Sequence, residues 1–177
     1  MAKVLVPLAD GCEELEAVTI IDLLRRAGIE VVSAGLKPGI VTARRGVQLV
    51  PDVTLQDSYD MVVLPGGMPG ASHLKEDARI LELLKTMDAA GKHTAAICAA
   101  PMVLAEAGLL KGKQATSYPG FLDGLPGVTV SDAAVVQDGK VLTSRGPGTA
   151  MDFALALIEV LSDAETRQQV ETALVRS

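Results

Sequence analysis

KVLVPLADGCEELEAVTIIDLLRRAGIEVVSAGL, residues 3–36, decides the fold. KVLVPL (3–8) is a short continuous apolar run, as expected of a strand buried on both faces. EELEAVTIIDLLRRAG (13–28) then switches to helical spacing, with Leu15, Val18, Ile21 and Leu24 recurring and Gly28 a natural stop. IEVVSAGL (29–36) returns to a strand. Strand, helix, strand implies a right-handed crossover and parallel pairing.

The same alternation continues outward. IVTARRGVQLVPD (40–52) alternates around a glycine and predicts a small hairpin. YDMVVLPGG (59–67) reads as a buried strand ending in a glycine pair, DARILELLKTMDAAG (77–91) as an amphipathic helix and HTAAIC (93–98) as another strand. A helix is expected over 101–110, short strands near 114–118, 128–130, 133–137 and 140–144, and helices over 148–162 and 163–175. No repeat or low-complexity linker interrupts the pattern, so residues 1–177 are expected to form a single domain. The class is α/β, with a mainly parallel sheet covered by helices on both faces.

Composition agrees. Of 177 residues 49% are hydrophobic but only 2% aromatic, so the core must be built from Val, Leu, Ile and Ala. A net charge of −6 argues against non-specific binding to nucleic acid or an anionic membrane. No apolar run approaches the ~18 residues of a membrane span. MAKVLVPLADGCEELE (1–16) lacks the length and flanks of a signal peptide. Two cysteines, Cys12 and Cys98, make neither a disulfide framework nor a zinc pattern. A cytoplasmic location and no metal or cofactor are expected.

Ligands of such sheets bind beyond the carboxyl ends of the strands. Three turns there carry unusual residues: ADGCEELE (9–16), LPGGMPG (64–70) and AAICAAP (95–101). Cys98 sits between a strand and a helix opened by Pro101, where unpaired N–H groups favour a thiolate. Ala96, Ala99 and Ala100 permit a tight corner. A buried, inert thiol is the alternative. Gly66 and Gly67 make either an ordinary turn or backbone donors for an oxyanion.

Glu13 and Glu14 suit the start of a helix as exposed dipole partners. Glu16 shares a face with Glu13, and a carboxyl beside a thiolate in a poorly solvated pocket stays protonated. His93 starts a strand and reads as a surface residue; His73 reads as a solvated helix start. Neither pairs clearly with Cys98, which weakens a peptidase reading. Arg145 in TSRGPGT (143–149), and Arg45 in ARRGV (43–47), are either surface charges or ligands for an anionic group.

Taken in order, GCEELEAV, RRAGI, YDMVVLPGG, AAICAAP and LTSRGPGTAMDFALALIE resemble the DJ-1/ThiJ/PfpI superfamily, nearest its DJ-1 and ThiJ-like branch. The resemblance spans nearly the whole chain. It implies a flavodoxin-like three-layer sandwich and a homodimer. It implies that Cys98 is the reactive cysteine on a strained elbow, with Glu16 the protonated carboxyl beside it. Gly66 and Gly67 match the family's amide donors, joined here by Ala99. Arg45, Ser144, Arg145 and Pro147 match residues around the pocket, and Glu13 and Arg26 match positions that hold the dimer. The segment TSYPGF (116–121) places Tyr118 where the branch's namesake has a histidine. Tyrosine is a poor base near neutral pH, with a reference pKa of ~10, so proton transfer falls to Glu16 and water. A Cys12–Cys98 disulfide is not expected.

Three functions follow. The resemblance points to glutathione-independent glyoxalase or deglycase chemistry, taking a small aldehyde such as methylglyoxal or a glycated substrate. A redox-sensing stress chaperone would instead use oxidation of Cys98 to the sulfinate. A structural homodimer with an inert thiol is the third.

Overall fold

The computed structural model describes residues 1–55 and 59–177. In chain order the elements are β1 (Lys3–Leu8), α1 (Glu14–Arg26), β2 (Glu30–Gly35), β3 (Val41–Thr42), β4 (Gln48–Leu49), β5 (Val53–Thr54) and β6 (Met61–Leu64). There follow α2 (Gly70–Glu76), α3 (Ala78–Ala89), β7 (His93–Ile97), α4 (Pro101–Glu106), β8 (Lys113–Ala115) and β9 (Val128–Val130). The chain closes with β10 (Val135–Asp138), β11 (Val141–Ser144), a 3-10 turn (Pro147–Thr149), α5 (Ala150–Leu161) and α6 (Ala164–Ala173).

Seven strands form the central sheet in the order β10-β11-β7-β6-β1-β2-β5. Every neighbouring pair is parallel except β10 with β11. Strand pleating sorts the apolar side chains. Val4, Val6, Leu8, Met61, Val63, Ala95 and Ile97 face α1 and α5, around a fully buried Phe153. Leu5, Val62, Leu64 and Ala96 face α2, α3 and α4, where Leu74, Ile80, Leu84 and Leu104 are buried. This is the flavodoxin-like three-layer sandwich.

The sequence reading needs four corrections. Residues 70–76 form α2, so His73, expected at a helix start, lies in mid-helix on the exposed side. The helix expected over 101–110 stops at Glu106, because Gly108 takes φ 82° and Leu109 N–H turns back to the Leu104 carbonyl at 2.9 Å. The strand expected over 59–67 covers only Met61–Leu64, which leaves Gly66 and Gly67 free to shape a loop. The stripe Leu15, Val18, Ile21, Leu24 is not one core face: Leu15 and Val18 are 50% and 47% exposed. The core face of α1 is Glu16, Ala17, Ile20, Leu23 and Leu24, and Glu14 is buried separately, off that face. The predicted hairpin forms, reduced to Val41–Thr42 against Gln48–Leu49 and separate from the central sheet.

From β1 the chain moves to β2 on one side, whereas β6, β7 and β11 extend the sheet on the other. The turns after β1 and β6 therefore flank the point where the winding reverses, and the turn after β7 lies one strand away. No helix among the described residues is long and apolar enough to cross a membrane.

Candidate active site

Cys98 follows β7 with φ 65°, a left-handed conformation costly for a side-chain-bearing residue. Two backbone hydrogen bonds hold it there. Its N–H donates to the Ser144 carbonyl at 3.0 Å, and its carbonyl accepts from Tyr118 N–H at 2.8 Å. The elbow expected at AAICAAP is thus present, and Ala99 and Ala100 are buried around it. Cys98 itself is 8% exposed.

Glu16 points inward from the first turn of α1 and is wholly buried. Its Oε1 accepts the Gly66 N–H at 3.0 Å, and Oε2 has no hydrogen-bond partner among the described residues. The Gly66 carbonyl in turn accepts Glu13 N–H at 2.8 Å, so the loop after β6 is tied to the start of α1. A Cβ at position 66 would lie 2.7 Å from Cys98 Cβ and 2.9 Å from Glu16 Oε1. Thiol and carboxyl therefore converge on the space that a side chain at position 66 would fill.

That geometry corrects the expected donor set. The Gly66 amide is engaged by Glu16 and is not available to an oxyanion. The amides that face the Cys98 sulfur are those of Gly67 and Ala99. Position 67 requires glycine, because its φ of 87° is left-handed and a Cβ there would come within 2.4 Å of Glu13 N.

Burial pushes the Glu16 carboxyl up to about 7, opposed by the hydrogen bonds from Gly66 and Cys98 and reinforced by the Glu13 charge. A helix start does not by itself hold Cys98 ionised. Burial, then the charge and hydrogen bond of an ionised Glu16, push the thiol up to about 12, against the weaker pull of the Ala99 and Gly67 amides. The helix that follows has only six residues, too short for a strong dipole. Both groups resist charge, so they titrate as a pair. The sulfur ionises when the proton sits on the carboxyl; this removes the opposing charge and turns the carboxyl O–H into a donor.

The remaining expected residues fall into place unevenly. Ser144 contributes its carbonyl to the elbow, while its hydroxyl bonds the Ala134 carbonyl and Thr149 Oγ1, each at 2.7 Å. Tyr118 is 49% exposed, and its ring meets Phe121 edge-on, with centroids 6.2 Å apart. Pro147 opens the 3-10 turn. Arg145 does not turn toward Cys98. It is exposed, reaches toward the Asp132 carbonyl at 3.4 Å, and lines a cavity of about 420 Å³ with Ser117, Pro119, Asp123 and Asp132. Arg45 is exposed and enters the hydrogen-bond network through its backbone N–H. Glu13 caps α1, and Arg26 pairs with Asp22 on the outer face of that helix.

His93 begins β7, five residues or roughly 16 Å along the strand from Cys98. It is half-buried rather than a surface residue, and burial together with the Lys140 charge lowers its pKa. Cys12 and Cys98 are both free thiols. Burial and the Glu14 charge push Cys12 up to about 12. Glu14, expected to be an exposed dipole partner, is 9% exposed. Its carboxylate accepts Arg45 N–H at 3.0 Å to each oxygen and Val47 N–H at 3.3 Å.

Comparison with known proteins gives a consistent result. The model of the DJ-1/PfpI family matches residues 2–160. Protein dj-1beta of Drosophila melanogaster is 46% identical over 178 residues, covering 97% of this chain and 95% of that protein. The crystal structure of Drosophila melanogaster DJ-1beta superposes with a TM-score of 0.95 at 44% identity, over 99% of this chain and 98% of the other. A structure of Toxoplasma gondii DJ-1, described as oxidized, also gives 0.95 at 44% identity, over the full length of both chains. Glutathione-independent glyoxalase DJR-1.2 of Caenorhabditis elegans is 39% identical, covering 93% of this chain and 90% of that protein.

Proposed function

The chain belongs to the DJ-1/PfpI family, and from that premise we propose that it converts reactive 2-oxoaldehydes such as methylglyoxal to 2-hydroxy acids without glutathione. The observation that carries this reading is the buried Glu16 carboxyl beside Cys98, both packed on the bare face of Gly66, with the Gly67 and Ala99 amides near the sulfur. A relative named as a glutathione-independent glyoxalase supports it.

The chemistry balances within the pair plus one water. The Cys98 proton passes to Glu16. The sulfur bonds to the aldehyde carbon, and the carbonyl electron pair moves onto oxygen, steadied by the Gly67 and Ala99 amides. Glu16 protonates that oxygen to give a hemithioacetal. As carboxylate it then takes the C–H proton of the same carbon and returns it to the neighbouring carbon, while the hydroxyl proton passes to the neighbouring oxygen. One carbon is oxidised and its neighbour reduced, leaving a lactate thioester on Cys98. Water hydrolyses the thioester, releases lactate and restores the thiol. An early glycation adduct feeds the same chemistry by releasing its aldehyde to Cys98, which frees the amine or thiol. Lactate formation from methylglyoxal by the purified protein, with no thiol added, tests the reading; a rate equal to the solution rate overturns it.

The functional unit is a homodimer on this reading. Leu15 and Val18 leave an apolar stripe on the outer face of α1, beside a groove of about 530 Å³ lined by Val18, Ile21, Asp22, Arg25 and Arg26. A second copy is the partner that the resemblance implies, with Arg26 and Glu13 near its edge. The double variant Leu15→Asp/Val18→Asp is expected to sediment as a folded monomer where the parent sediments as a dimer. An unchanged dimer would place the interface elsewhere.

A further inference from the structure

Glu14 is a buried carboxylate that the proposed chemistry does not use. Among the described residues it pairs with no cationic side chain and instead accepts N–H groups from Arg45 and Val47 in the turn between β3 and β4. An apolar side chain could fill the same space without the cost of burying a charge. What a carboxylate adds is direction, because charge-assisted bonds to backbone N–H groups are short and strong.

The turn it grips is fastened to the site on two further sides. Arg44 N–H donates to the Cys12 carbonyl at 2.8 Å, and the Arg44 guanidinium donates to the Met68 carbonyl. Cys12 precedes Glu13, whose N–H holds the Gly66 carbonyl at 2.8 Å, and Met68 follows Gly67. Glu14 and Glu16, two positions apart, lie about 200° apart around α1. One grips the turn while the other meets Gly66.

We propose that Glu14 is a positioning residue: by holding the 43–47 turn against Cys12 and Met68, it sets where Gly66 presents its N–H to Glu16. The inference rests on the Cys98–Glu16 reading of the site. Glu14→Gln is its nearly isosteric test, since an amide nitrogen cannot accept the second set of N–H bonds.

Amide hydrogen exchange and the pH profile of Cys98 alkylation are read together on the full chain. In Glu14→Gln, exchange is expected to rise about tenfold at Arg45 and Val47 and also at Gly66, with the alkylation step near neutral pH displaced by about half a unit or more. Faster exchange at Arg45 and Val47 with Gly66 and the profile unchanged would assign Glu14 to the turn alone and overturn the proposal. A parent protein with no step near neutral pH would overturn the site reading itself. Should Glu14→Gln not fold, Arg44→Met cuts the same route at Met68. Raised Gly66 exchange there supports the proposal; unchanged exchange overturns it.

Discussion

Cys98→Ser is expected to lower methylglyoxal turnover by more than about a thousandfold while leaving the fold intact. Serine is nearly the shape of cysteine, and the elbow is held by the backbone N–H and carbonyl of residue 98, which the substitution keeps. What changes is the proton. Glu16, raised to about 7, can take a proton from a thiol but cannot ionise an alcohol. Glu16→Gln should fall by roughly 10²–10⁴-fold, the usual range for general acid–base groups. The amide can still accept the Gly66 N–H, so the loss reports proton transfer rather than architecture. Lactate release by both variants, alongside their melting temperatures, checks this. Full turnover in Cys98→Ser would remove the aldehyde chemistry and leave oxidation of the thiol as the role of the site.

Gly66→Ala is expected to cost roughly 10²–10³-fold in the same assay, comparable to removing an oxyanion donor. The added methyl would sit 2.7 Å from both Cys98 Cβ and the Ile97 carbonyl, and 2.9 Å from Glu16 Oε1. Two of these three neighbours belong to the β7 elbow and cannot swing aside. Residue 66 must therefore shift away from the elbow, and its N–H bond to Glu16 is lost. Overpacking of this kind also lowers stability by about 1–3 kcal/mol. Gly148→Ala is the control, since a Cβ there meets nothing within 4 Å. Equal activity in the two variants would mean that the thiol and carboxyl do not depend on the bare backbone of Gly66 beside them.

The architecture was readable because β1, β6 and β7 are continuous apolar runs between helical stretches. Cys98 was readable for the same reason, since a strand-to-helix corner flanked by alanines leaves few choices for its backbone. Other features were hidden by ambiguities of local pattern. A glycine pair does not say which N–H faces the thiol, and only the bond from Gly66 to Glu16 resolves it. An acid in the first turn of a helix reads as a dipole partner, which concealed the burial of Glu14. Leu15 and Val18 matched helical spacing, but spacing alone does not say whether a stripe faces a core or a partner. Local pattern could not decide between the helix start, which favours a Cys98 thiolate, and burial, which opposes it; the structure gives burial the larger weight.

The pH dependence of Cys98 alkylation by iodoacetamide, in the parent and in Glu16→Gln, measures the shared proton most directly. The parent rate is expected to rise through about pH 7, where Glu16 titrates, and then level off as the pair holds a single proton. In Glu16→Gln that step disappears, and the rate climbs only in the alkaline range of a buried thiol. Superimposable profiles with an ordinary midpoint near ~8.5 in both proteins would contradict a coupled Cys98–Glu16 site.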